Sequence, residues 1–251
     1  MAIPTEETSY HGNPNLKSIG HQHDFTKEQI NELLKCKDDP IYFIENYCQI
    51  VTLDKGLQPF KLYPCQKEKV GFIMNNRQTI LMEGRQQGKT VTAAACILHY
   101  SIFQENKTVA ILANKTAAAR EVLSRYQIMY EGLPIWMQQG VKTWNKGNVD
   151  LENGSVVFTA ATTSSGIRGK SVNWLYIDEA AIIPNNIAEE FFTAVYPTIS
   201  AGQTTKILLT STPLGYNHFW KFWNEAENGE NGFKRMFIHY SEIPGRDEAW
   251  A

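Results

Sequence analysis

A lysine and a threonine that open one helix, and two adjacent carboxylates that end a later strand, could together carry out phosphoryl chemistry. The first pair lies in Thr79-Ile80-Leu81-Met82-Glu83-Gly84-Arg85-Gln86-Gln87-Gly88-Lys89-Thr90, where an apolar, β-prone run breaks into a short polar loop before an Ala-rich helical segment from Val91 to Tyr100. In that order of strand, loop and helix, Gly88 lets the backbone approach a triphosphate. The amides of Gly84, Gln86, Gln87 and the helix N-terminus then point at phosphate oxygens. Lys89 supplies a point charge to the β and γ oxygens, and the Thr90 hydroxyl suits Mg²⁺. The second pair closes Trp174-Leu175-Tyr176-Ile177-Asp178-Glu179. Asp178 suits the metal, and Glu179 suits orienting an attacking water. The pattern implies binding and hydrolysis of ATP with Mg²⁺. One position departs from G-x-x-x-x-G-K-[ST]: Glu83 stands where the first glycine belongs.

Three further segments carry candidates. In Phe60-Lys61-Leu62-Tyr63-Pro64-Cys65-Gln66 the Gln66 amide can donate to and accept from a base edge at once, and Tyr63 or Phe60 can stack on a ring. Thr210-Ser211-Thr212 places hydroxyls at the end of the strand after the paired acids, with Pro213 as breaker. Arg85, inside the loop, can reach the γ-phosphate in cis; Arg168, in Gly166-Ile167-Arg168-Gly169-Lys170, is the second candidate, its Gly-flanked loop suiting contact with phosphate, DNA or a neighbouring subunit.

The elements that must position these residues alternate between strand and helix. Helical patterns run from Phe25 to Lys35 with Asp24 or Thr26 as cap, from Asp39-Pro40, within Lys61 to Met74, and from Thr116 to about Tyr130. Strands are expected at Thr79–Met82, Thr108–Ala113, Val172–Ile177, Lys206–Leu209 and Phe233–Tyr240, and helices at Pro184–Tyr196 and His218–Ala226. Asn153-Gly154 between Asn148–Leu151 and Ser155–Thr159 signals a hairpin. The expected fold is α/β: a P-loop NTPase of RecA-like type, with a mainly parallel sheet covered by helices on both faces. Residues 1–24 read as an irregular polar leader and residues 25–251 as the ATPase domain.

At 251 residues and a net charge of −2 the chain suits one sizeable α/β core and argues against a uniformly basic nucleic-acid coat. No apolar run reaches the length of a membrane span. The four cysteines form no C-x-x-C pair, which favours reduced thiols over a zinc site or disulfide framework.

Taken together these segments resemble the ATPase domain of the large terminase subunit of tailed bacteriophages. The likeness is carried by Tyr63–Gln66, Gly84–Thr90, Ile111-Leu112-Ala113-Asn114-Lys115, Trp144-Asn145-Lys146-Gly147, Ile167-Arg168-Gly169, Tyr176–Asn185 and Thr210–Pro213. The loop arginine and the missing first glycine are habits of that family. The resemblance implies a motor that hydrolyses ATP to move double-stranded DNA into a procapsid in the host bacterial cytoplasm. It implies a homo-oligomeric ring on a portal protein, with the small terminase subunit as partner and a monomer in isolation as an option. Gln66 would read adenine, Arg85 would sense the γ-phosphate, and Thr210 to Thr212 would couple hydrolysis to DNA movement. Family members continue into a nuclease domain that the residues up to Ala251 do not supply, so no DNA cleavage is expected of this chain. A helicase-like DNA-remodelling ATPase, or a nucleotide-binding assembly module without turnover of its own, are the rival readings.

Overall fold

Adjacent residues in the central strands serve opposite faces, and this alternation builds the molecule. A computed structural model describes residues 8–163, 167, 170–200 and 202–247. In strand β3 (Gln78–Glu83) Leu81 enters one core and Ile80 the other. The same division separates Ile111 from Ala110 and Leu112 in β4 (Thr108–Ala113), Trp174 and Tyr176 from Leu175 and Ile177 in β8 (Trp174–Ile177), and Leu208 from Leu209 in β9 (Lys206–Ser211). A strand apolar on both sides must be covered on both sides, so these become interior parallel strands.

Helices α1 (Lys27–Asp38), α2 (Pro40–Tyr47), α3 (Pro64–Asn75), α4 (Lys89–Phe103) and α5 (Thr116–Glu131) contribute to the first core. Helices α6 (Asn185–Ser200) and α7 (His218–Asn228) cover the second. Helix α4 is buried along almost its whole length, and Ala93-Ala94-Ala95 lets it lie close to its neighbours. Thr26 opens α1 through a capping box with Gln29, and Asp39 caps α2.

The eight-stranded sheet also holds β5 (Val141–Trp144), β6 (Asn148–Leu151), β7 (Val156–Ala161) and β10 (Lys234–Ile238), in the order β10-β3-β9-β8-β4-β7-β6-β5. Neighbours from β10 through β7 are parallel, and β6 and β5 return antiparallel at the edge. The β6–β7 hairpin turns at Asn153-Gly154 as expected, with Gly154 at φ +80°. Strand β9 lies between β3 and β8, pairing Thr210 with Leu81 and Leu209 with Ile177. The C-terminal ends of β3, β8 and β9 therefore meet at one rim, where ligands of such sheets bind.

Several bounds differ from the sequence expectation. Glu83 belongs to β3 rather than to the loop, because it pairs with Ile238 of β10. Thr210 and Ser211 belong to β9 rather than to the turn after it, because they pair with Leu81 and Met82. A small antiparallel hairpin, β1 (Gln49–Thr52) with β2 (Gly56–Pro59), and the edge strand β5 had no sequence forecast. Within the polar leader, Leu16 is buried in the first core and Val141 donates its N–H to the Lys17 carbonyl at 2.9 Å. All four cysteines are buried thiols. Among the described residues, no helix is long and apolar enough to cross a membrane.

Candidate functional site

The loop from Gly84 to Gly88 joins β3 to α4 and holds an unusual backbone. Gln86 has φ +59° and Gly88 φ +81°, both left-handed. The Gly84 N–H donates to Gln87 Oε1 at 2.7 Å, closing the loop on itself. Gly88 is required twice over: its φ suits glycine, and a Cβ there would collide with Gln66 Nε2. Lys89 is the first residue of α4, so the helix N-terminus and the ammonium group share one place.

Opposite the loop, β8 delivers Asp178 and Glu179. Asp178 is 6% exposed and accepts three hydrogen bonds: from Thr90 Oγ1 at 2.9 Å, from Thr210 Oγ1 at 2.9 Å, and from the Glu179 N–H at 3.1 Å. Glu179 sits at φ +52°, a left-handed turn that no glycine relieves. Lys89 Nζ donates to Glu179 Oε1 at 2.8 Å, while Glu179 Oε2 is buried with no hydrogen-bond partner. Tyr176 lies beneath, its hydroxyl 3.2 Å from Thr210 Oγ1, and burial pushes its phenol well above the usual value. Residues remote in sequence thus lie together: Lys89 beside Glu179, and Thr90 beside Asp178.

The donor set suits Mg²⁺. Thr90 and Asp178 present hard oxygens that already lie within hydrogen-bond distance of each other. Among the described residues no group of three or more His, Cys, Asp or Glu gathers to hold an ion alone. A cation here would take its remaining ligands from phosphate and water, as Mg²⁺ does.

A cavity of about 760 Å³ opens over the loop, lined by Gly84, Arg85, Gln86, Gly88, Lys89 and Thr90 on one side, Gln49 to Val51 of β1 on another, and Glu121, Arg125 and Met129 of α5 on a third. Glu179 also lines it. Tyr63 and Gln66 do not line it. Both ends of the Gln66 amide are engaged inside the protein: Nε2 donates to the Gln87 carbonyl at 3.2 Å, and Oε1 accepts from the Tyr63 N–H at 3.0 Å. Reading adenine would require exchanging those bonds; in this structure Gln66 braces the loop.

The segment Thr210-Ser211-Thr212 lies behind the acids. Thr210 holds Asp178, Ser211 Oγ accepts from the Ala181 N–H at 3.1 Å, and Thr212 is half-buried past the strand end. Asn217 continues the connection, donating to the Ala181 carbonyl at 2.9 Å while capping α7 through the Trp220 N–H. Arg168 lies outside the described residues.

Sequence reasoning passed over two arginines here. Arg125 lines the cavity from α5, where nothing in the sequence separates it from a solvated helix face. Arg246 donates to the carbonyls of Gln86 at 2.7 Å and Arg85 at 3.3 Å, contacts between residues about 160 apart in the chain.

Residues 80–245 match a family described as the terminase large subunit, T4likevirus-type, N-terminal. Among solved structures the fold is similar to the large terminase of bacteriophage HK97, at TM-score 0.67 and 19% identity, covering 84% of this chain and 45% of that one. It is similar to the large terminase of the thermophilic bacteriophage D6E, at TM-score 0.60 and 12% identity, covering 76% and 48%. The D6E protein has also been solved with ADP and with ATP-γ-S. An arginine-to-alanine mutant of the Thermus phage P74-26 large terminase ATPase domain matches at TM-score 0.55 and 17% identity, covering 71% and 82%. At these identities the likeness is one of fold. The chain spans about half the length of the HK97 and D6E proteins.

Proposed function

Because this chain belongs to the family of terminase large subunits, matched over the N-terminal region, we propose that it binds Mg²⁺–ATP and hydrolyses it to drive double-stranded DNA into a viral procapsid. The observation that carries the reading is the meeting of two motifs about 90 residues apart, with Lys89 2.8 Å from Glu179 and Thr90 2.9 Å from Asp178. The ADP and ATP-γ-S complexes of the D6E relative support the choice of nucleotide.

The geometry supports the following sequence. Lys89 leaves Glu179 for the β and γ oxygens of the incoming nucleotide, and the amides of the loop cradle the phosphates. Thr90 and Asp178 would hold Mg²⁺, which would supply charge neutralisation for phosphoryl transfer. Glu179, released from Lys89, aims the attacking water and takes its proton as the water oxygen bonds to the γ-phosphorus; the bond to the β–γ bridging oxygen breaks, and ADP and phosphate leave. Arg85, which lines the cavity, stabilises charge on the transferred group, and Arg168 is the second candidate, from the same chain or from a neighbour. Thr210 reports the state of Asp178 along β9, and Ser211 and Asn217 carry it to the turn before α7. In full function the domain works as a homo-oligomeric ring at the procapsid portal in the host cytoplasm, with the small terminase subunit as partner.

Phosphate release from ATP tests the reading. Lys89→Ala and Glu179→Ala should each abolish turnover, with nucleotide binding lost in the first and kept in the second. Wild-type rates in either variant would overturn the assignment.

A further inference from the structure

Beneath the phosphate loop lies a second charged pair. Lys69 Nζ donates to both carboxylate oxygens of Glu83, at 2.8 and 3.2 Å, and both side chains are fully buried. Glu83 is the last residue of β3, at the position where such loops begin with glycine. Gln66 and Lys69 stand three apart on α3 and so share a face. The first bonds the Gln87 carbonyl near the end of the loop and the second bonds Glu83 at its start. The Gly84 N–H to Gln87 bond joins the two ends.

We propose that Lys69 is a positioning residue for nucleotide binding, fixing the start of the phosphate loop through Glu83 while Gln66 fixes its end, so that α3 grips the loop at both sides. The proposal rests on the nucleotide-binding reading above. A carboxylate at this place has a specific drawback: it lies near Lys89 and Asp178, under the seat of a polyanion. Left alone it would repel the phosphates and bear the full penalty of burial. Paired with Lys69 its charge is balanced, and the two contacts set the height and direction at which β3 releases the chain into Gly84. An apolar pair of equal volume would pack as well or better, but without directional bonds. The ion pair therefore serves geometry more than stability.

The experiment compares the wild type with Lys69→Met/Glu83→Leu, an apolar pair of similar volume. Three quantities are read: thermal unfolding, hydrogen exchange of the amides of residues 84–88 without nucleotide, and equilibrium binding of a fluorescent ADP analogue. The double variant should unfold at or above the wild-type temperature. Its loop amides should exchange faster, and it should bind the probe roughly tenfold to hundredfold more weakly, as misplacement of a preorganised site does. A role in stability alone would move the first quantity and leave the other two. Wild-type exchange and wild-type affinity in a folded double variant would overturn the proposal. Should that variant not fold, Lys69→Met/Glu83→Gln, which removes both charges and the Lys69 donor while keeping the shape of the pair, carries the same test: faster loop exchange supports the brace, and native protection overturns it. A wild type that binds no probe would sink the nucleotide reading, while the exchange comparison still judges the brace.

Discussion

Two lysine–glutamate pairs bound the phosphate loop, each at 2.8 Å, and they do opposite things. Lys69–Glu83 at the start is wholly shut away, joins a helix to a strand, and has nowhere else to go. Lys89–Glu179 at the end faces the cavity, leaves one carboxylate oxygen unpartnered, and joins two groups that phosphoryl transfer needs apart. The distance is the same; what differs is what competes for each partner. In the proposed reaction a nucleotide competes for Lys89, whereas Lys69 is shut away from any ligand. The same contact therefore makes a fixed joint in one place and a latch in the other.

The sharpest way to break this comparison is at the latch. Glu179→Gln should lower kcat for ATP by roughly 10²- to 10⁴-fold, the usual contribution of a group that handles the reacting water. It should also tighten nucleotide binding, because Lys89 loses its charged competitor. Steady-state phosphate release together with equilibrium binding of ADP checks both, and weaker binding in this variant would refute the latch.

Next in size is the joint. Lys69→Met alone strands a buried carboxylate and should cost about 3–5 kcal/mol in chemical denaturation. Lys89→Met should cost less than about 1 kcal/mol, because Glu179 is partly exposed and can turn to water. Equal losses would erase the distinction between the pairs.

The pH profile of stability sharpens the contrast further. Burial holds the Glu83 carboxyl above its ordinary value of 4.5 despite Lys69. Between 4.5 and that raised value the folded protein keeps a proton that the unfolded chain has released, so stability falls as pH rises through the window. His99 and His218, held below 6.5 by burial, act at the other limb: the unfolded chain takes up protons first, and stability falls as pH drops below 6.5. Glu83→Gln should remove the first dependence and leave the histidine limb in place, as denaturation across a pH series would show. The smallest effect is expected at the loop's outer face, where Arg246→Ala removes donors to two carbonyls. ADP affinity should weaken by less than about tenfold.

Much of this was readable in the residues. Gly88-Lys89-Thr90 and Asp178-Glu179 declare their chemistry by type, and the apolar strands before them fix where each emerges. The Asn153-Gly154 turn is local, so its neighbours suffice to place it. Lys69 is the opposite case. A lysine on a helix reads as a solvated charge, and only the fold brings Glu83 to it. The amide of Gln66 could recognise a base by type alone; that it holds a loop carbonyl depends on where Gln87 comes to lie. Hairpin β1–β2 and strand β5 are not marked in the sequence because they bury almost nothing, Val141 alone being buried, whereas β6, of equal length, alternates buried and part-exposed residues. Glu83, Thr210 and Ser211 extend their strands past the expected ends at Met82 and Leu209, because neighbouring strands claim their backbones although their side chains are polar.

The place of β9 has a consequence for biosynthesis. This strand is made more than a hundred residues after the loop lysine and some thirty after the acids, yet it lies between the strands that carry them. In a growing chain that has left the ribosome only as far as residue 205, β3 and β8 have been made but the strand that lies between them has not. On the proposed reading the site is incomplete until residues 206–211 follow, because Asp178 gains its Thr210 partner only then. Pulse-labelled nascent chains stalled before and after this segment should thus differ sharply in retention on ATP resin.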